Sequence, residues 1–157
     1  MEGSLLFVGL SFDQVPGVAS LLSNPTLFPC VLAPGRGALD VGKAEGLEAF
    51  RLQAEGKTPV VFVLDGSWTG AAKILEHSPL LAALPRVSFT TGRTSRYGFK
   101  RQPRAECLST LEAVHELVDL LERARLAEVT PANGHHALLA VFDALVSFQG
   151  AFSPQTE

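Results

Sequence analysis

The sequence predicts an α/β fold, a mostly parallel sheet with helices on both faces, and two observations carry that prediction. Short runs rich in Val, Leu and Phe recur along the chain, and segments with helical apolar spacing lie between them. Strands separated by helices are joined by crossovers, which leave neighbouring strands parallel and buried on both faces.

Taken in order, "SLLFVGL" (4–10), "LFPCVLA" (27–33), "PVVFVL" (59–64) and "LPRVSF" (84–89) read as strands. The segment "FDQVPGVASLLS" (12–23) has Val and Leu at rough helical spacing, though Pro16 and Gly17 weaken it. "KAEGLEAFRLQAEG" (43–56) reads as a helix ending at Gly56, and "WTGAAKILEHS" (68–78) as a short one stopping before Pro79. Two longer helices follow, "CLSTLEAVHELVDLLERARLA" (107–127) and "HHALLAVFDALVSFQG" (135–150), separated by the breaker "TPANG". In the first of them Leu111, Val114, Leu117, Val118 and Leu121 form an apolar stripe that leaves His115, Glu116, Asp119 and Glu122 largely outside it. The sequence contains neither an internal repeat nor a low-complexity linker, so a single domain over 1–157 is expected.

Composition narrows the function classes. With 46% apolar and 18% charged residues the chain is globular and not disordered. Its apolar runs all fall short of the roughly 18 residues needed to span a bilayer. The N-terminus lacks the basic lead of a signal peptide, so a cytoplasmic protein without a membrane partner is expected. Cys30 and Cys107 are too few and too far apart for a disulfide scaffold or a cysteine metal site.

The net charge of −3 argues against general nucleic-acid coating, but the charges are segregated. "RVSFTTGRTSRYGFKRQPR" (86–104) holds six of the thirteen basic residues and no acid, leaving seven basic against sixteen acidic groups elsewhere, a balance of −9. This segment contains Tyr97, the only tyrosine, and Phe99 among Arg93, Arg96, Lys100 and Arg101. Cations interleaved with aromatics suit phosphate contacts together with base stacking. A charged edge strand, guarded against pairing, is the plainer alternative.

Ligands of open α/β sheets bind beyond the carboxyl ends of the strands. "APGRGALD" (33–40), "DGSW" (65–68) and the basic segment follow the second, third and fourth expected strands. Asp65 closes a run that reads as fully buried. Locally, Asp65 or Ser67 is a helix N-cap with Gly66 making the turn; functionally, Asp65 is a general base at the sheet edge, with Trp68 as a pocket wall. "STLEA" (109–113) has the capping-box spacing of Ser109 and Glu112, and its helix N-terminus also suits a carboxylate. His135 and His136 lack a third ligand nearby in sequence, so they read as surface or capping residues, and no metal is expected.

Taken together, "LDGSW", "AAKIL", "SPLL", "LPRVSF", "SRYGFKRQP" and "ECLSTLEAV", in that order, resemble the DTW-domain family, named for an Asp-x-Thr-Trp motif. The resemblance runs from about residue 27 to the end and includes "VLAPGRGALD". It implies a tRNA-uridine aminocarboxypropyltransferase, related to the SPOUT class, with a SPOUT-like fold and a C-terminal knot. The donor would be S-adenosylmethionine, whose γ-carbon is attacked by uracil N3 with loss of methylthioadenosine. By that resemblance Asp65 orients or deprotonates the uracil N–H. Pro34, Gly35, Ser67, Trp68, Leu108, Ser109, Thr110 and Glu112 line the donor pocket, and Arg93, Arg96, Tyr97, Lys100 and Arg101 meet the tRNA. The protein is expected to be a monomer or a homodimer.

Two departures from the family pattern bear on this. An N-terminal cysteine cluster common in the family is missing from this sequence, which bears on tRNA docking more than on chemistry. The motif threonine is Ser67, which keeps the hydroxyl and loses the methyl. Transfer to ribosomal RNA or a small molecule, and a non-catalytic RNA- or adenosine-binding module, are the competing readings.

Overall fold

The apolar runs at 27–33, 59–64 and 84–89 do form strands, and a two-residue strand that periodicity could not register joins them. The computed structural model describes residues 3–96 and 107–150. Its elements are α1 (Pro16–Ser23), β1 (Leu27–Leu32), β2 (Leu39–Asp40), α2 (Ala44–Gln53), β3 (Thr58–Val63), α3 (Trp68–His77), α4 (Pro79–Ala82), β4 (Arg86–Ser88), α5 (Thr110–Arg123) and α6 (Ala137–Gly150). A 3-10 turn, Gly134–His136, precedes α6. The chain divides into two compact units, Met1–Thr90 and Thr91–Glu157.

The first unit carries a four-stranded sheet in the order β2-β4-β1-β3, parallel at every pairing. Helices cover both faces. Phe28 of β1 meets Phe50 of α2 edge to face, with ring centroids 5.7 Å apart. Val31, three residues on, faces the opposite way and is in register with Phe62 of β3. Phe62 packs with Phe12, Val18 of α1, Ile74 of α3 and Leu81 of α4. So α2 lies on one face, and α1, α3 and α4 on the other. Two polar contacts lock that second layer. The Phe12 N–H donates to the buried Ser78 Oγ (3.1 Å), and the Leu80 N–H at the start of α4 donates to the Asp13 carboxylate. On the first face, Gly46 lets α2 sit against the Asp40 backbone, where any Cβ would collide with the carbonyl.

Three expectations are corrected here. Residues 4–10 form no strand; Leu5, Leu6, Val8 and Leu10 are exposed, and only Phe7 packs on the α1 layer. A short apolar run becomes a strand only where a sheet edge pairs with it, and that is decided by tertiary contacts. The run at 59–64 is not fully buried: β3 is an edge strand whose apolar residues are half-covered. In the second unit, the buried face of α5 includes Glu112, His115 and Asp119 beside Leu117 and Leu121, so two of the four polar residues set outside the stripe, His115 and Asp119, lie inside it, while Glu116 and Glu122 stay half-exposed. Local partners make that tolerable: Glu112 is fully hydrogen-bonded, and Asp119 pairs with Arg123 at 2.7 Å.

The all-parallel α/β sheet is as the sequence predicts; a C-terminal knot is not shown by the described residues. Among those residues, no helix is long and apolar enough to cross a membrane.

Candidate active site

Parallel pairing puts the ends of β1, β3 and β4 at one edge of the first unit, so the loops after them open on the same side. Asp65 lies two residues past the end of β3 and is exposed. Gly66 has φ of +151°, with open space where a Cβ would stand, so glycine serves the backbone turn and not a close approach. Ser67 is the N-cap of α3: its Oγ accepts the Gly70 N–H at 3.1 Å and lies 3.2 Å from the Thr69 hydroxyl. The capped turn is therefore real, and its cap is Ser67, which leaves the Asp65 carboxylate outside the capping role. Of Trp68 only the backbone is described.

Pro34 and Gly35 follow β1 in an exposed loop. The Arg86 guanidinium donates to the Pro34 carbonyl at 3.4 Å and lies where a Gly35 Cβ would stand. Arg86, grouped with the basic segment by sequence, thus belongs to β4 and to this loop. A cavity of about 380 Å³ adjoins the loop, lined by Arg36, Gly37, Leu39, Gln53, Leu84 and Arg86 among others; Asp65 is not among its lining residues. At the end of β2, Asp40 accepts from the Thr90 N–H and hydroxyl and from the Gly42 N–H, and pairs with Lys43 at 3.3 Å. Burial raises the Asp40 carboxyl, but these hydrogen bonds outweigh it and hold it below the ordinary carboxylate range.

In the second unit Ser109 and Glu112 make the expected capping box at the start of α5. The Glu112 N–H donates to Ser109 Oγ (3.3 Å), and the Ser109 N–H returns to Glu112 Oε2 (2.8 Å). Glu112 does more than cap. Its Oε2 also accepts the Ser95 hydroxyl at 2.6 Å, and its Oε1 accepts the Arg96 N–H at 2.9 Å. The side chain that sequence placed in a donor pocket has both oxygens committed to the chain itself. Burial raises its carboxyl, and the bonds from Ser95, Arg96 and Ser109 overcome that and lower it. The first amides of a helix lack intrahelical partners, and at the start of α5 the one of Glu112 is held by Ser109. Leu108 precedes the cap and is half-buried.

The acid-free basic segment is not free of acids in space. Arg93 pairs with Glu116 of α5 at 3.3 Å, and both oxygens of Asp143 on α6 accept from Arg96 Nη1 at 2.8 Å. Both arginine side chains stay more than half exposed, and a guanidinium has five N–H donors, more than these ion pairs use. Tyr97, Lys100 and Arg101 lie outside the described residues.

A group that sequence reasoning missed lies between α5 and the 3-10 turn. His115, His135 and His136 bring three imidazoles together, with ring centroids 5.1, 5.3 and 4.5 Å apart. The third ligand candidate for the His135-His136 pair is therefore His115, twenty positions before His135, and no local spacing could reveal it. Burial, together with the charge of the two neighbouring rings, pushes the His115 imidazole down, which favours its neutral form.

These features define an open, parallel-sheet α/β protein with an exposed carboxylate at the carboxyl edge of the sheet. A family model described as the DTW domain matches residues 1–150, and the chain belongs to that family. It is similar to the tRNA-uridine aminocarboxypropyltransferase 2 of Macaca fascicularis and that of Mus musculus, 30% identical to each over 119 residues. The match covers 76% of this chain and 36% of each relative, so the chain spans well under half the length of these curated relatives. No solved structure matches the chain. The resemblance read from the ordered motifs is borne out.

Proposed function

We propose that the chain is one catalytic domain, cytoplasmic, which transfers the 3-amino-3-carboxypropyl group of S-adenosylmethionine to N3 of a uridine in tRNA. The observation that carries this reading is membership of the DTW family along residues 1–150, in company with relatives named for that transfer. The exposed Asp65 at the sheet edge supports it further. Uracil N3 gains a bond to the donor's γ-carbon, the carbon–sulfur bond breaks, and methylthioadenosine leaves. The sulfonium is already a good leaving group, so the protein's main task is to orient the γ-carbon, and not the methyl, toward N3.

In this reading Asp65 accepts the N3 proton or aligns it. Ser67 and Ser109 hold their helix starts in place beside the donor. The Thr110 and Leu111 amides suit the donor's carboxylate. Pro34, Gly35, Trp68 and Leu108 complete the donor contacts, and Glu112 acts as a positioning residue. Incubation with tRNA and donor labelled in the aminocarboxypropyl chain is expected to label the RNA. Label arriving only from a methyl-labelled donor would overturn the reaction, and label in ribosomal RNA but not in tRNA would overturn the acceptor.

Docking of the tRNA is assigned to Tyr97, Lys100 and Arg101, with help from Arg93 and Arg96. Replacing Lys100 and Arg101 with Gln is expected to weaken tRNA binding and to lower the slope of log affinity against log salt by about one for each phosphate no longer neutralised. Filter binding across a salt series measures it. An unchanged slope places the RNA elsewhere.

A further inference from the structure

We propose that His115, His135 and His136 form a binding site for one divalent transition-metal ion, zinc being the best match. Among the described residues, the buried side-chain polar atoms that lack a hydrogen-bond partner are His115 Nε2, His135 Nδ1 and His135 Nε2. All of them fall in this one cluster. His115 is 4% exposed and His135 fully buried, while His136 is exposed. Folded proteins rarely leave buried imidazole nitrogens unpaired, because each has given up water for nothing. A shared cation pairs lone pairs from all three rings at once.

The geometry fits such an ion. One nitrogen from each ring can be chosen so that all three lie within 4.8 Å of one another. Zinc–imidazole bonds of about 2.0–2.1 Å in a tetrahedron set the nitrogens roughly 3.3 Å apart. Binding would draw the nitrogens together by up to about 1.5 Å. An all-imidazole set suits zinc and its borderline neighbours, not calcium or magnesium, which take oxygen. Three protein ligands leave a fourth position for water, at the exposed His136 side of the cluster.

The surroundings match those of metal-bound histidine. Asp119 Oδ1 lies 3.6 Å from His135 Nε2, and Glu122 Oε2 lies 3.6 Å from His135 Nδ1. Whichever nitrogen binds the ion, the other has a carboxylate beside it to accept its N–H and fix the ring. The ligands come from α5 and from the turn that starts α6. The ion therefore staples those two helices together, and it stabilises the second unit whether or not the chain is turning over substrate.

The test uses the full chain, stripped of metal with a chelator and titrated with zinc chloride by calorimetry. One equivalent is expected to bind and to raise the thermal midpoint. His136→Ala changes an exposed ligand and should leave the metal-free midpoint where it was, yet weaken zinc binding by at least about tenfold, as should His115→Gln. Failure of the wild-type chain to bind an equivalent overturns the proposal. So does zinc binding that is equally tight in both variants, since the metal would then be held elsewhere, as by Cys107.

Discussion

Asp65→Asn is expected to lower aminocarboxypropyl transfer by about 10²–10⁴-fold, the range that one positioned general base supplies. The same change should leave the thermal midpoint unmoved. Both halves follow from position. Asp65 is exposed beyond β3, and the cap of α3 is Ser67, so the helix start does not depend on the aspartate. Asparagine keeps the size and one acceptor oxygen but cannot take a proton. Donor binding, measured separately by calorimetry, should persist in the variant. Loss of transfer with donor bound and fold intact supports a role at the reacting atoms, and it also excludes a non-catalytic binding module, which would show no transfer to lose. A variant as active as the wild type would remove Asp65 from the chemistry. Ser67→Ala offers the contrast: it costs about 1 kcal/mol of stability by removing the cap, with a milder effect on rate.

How far the sequence reveals all this depends on how local each signal is. The Ser67 and Ser109 caps, the Gly66 turn and four of the helices lie in signals a few residues wide, and the structure has them where the spacing puts them. The parallel order follows from alternation of element types. Sheet edges are another matter. Whether "SLLFVGL" pairs depends on a partner strand, and whether 59–64 is covered on both sides depends on where β3 falls in the order β2-β4-β1-β3. Neither is written in the run itself. Partners across long separations are equally hidden. Arg96 finds Asp143, and His115 finds His135, from positions that no helical or strand period connects. Arg93 and Arg96 look unopposed in sequence only because their acids come from α5 and α6. Burial of Glu112 on α5 follows the same logic in part: besides the adjacent Ser109, its carboxylate is satisfied by Ser95 and Arg96, which no period of the helix connects to it.

Glu112→Ala is expected to destabilise the chain by about 3 kcal/mol in urea unfolding. One carboxylate, 6% exposed, accepts the Ser95 hydroxyl and the backbone N–H groups of Arg96 and Ser109. Removing it strands several donors at once and frees the start of α5 from residues 95–96, where the basic segment continues. Glu112→Gln keeps the shape and loses the charge, so its cost should be smaller and should depend on pH. The folded carboxyl is lowered relative to the unfolded chain, where glutamate titrates near about 4.3. A depressed group stabilises the fold fully above its unfolded value and loses that contribution as pH falls through its folded value. The stability gap between wild type and Glu112→Gln should therefore hold steady at neutral pH and narrow in acid, below about pH 4.3. Asp40 is lowered for the same kind of reason, but it is present in both proteins and cancels in the difference. A gap that stays constant down to low pH would show that the charge of Glu112 contributes nothing and that its shape alone orders the turn. If the charge does contribute, the variant should also weaken tRNA binding more than it slows turnover of bound tRNA, because what it loosens is the approach to the segment proposed to bind RNA and not Asp65.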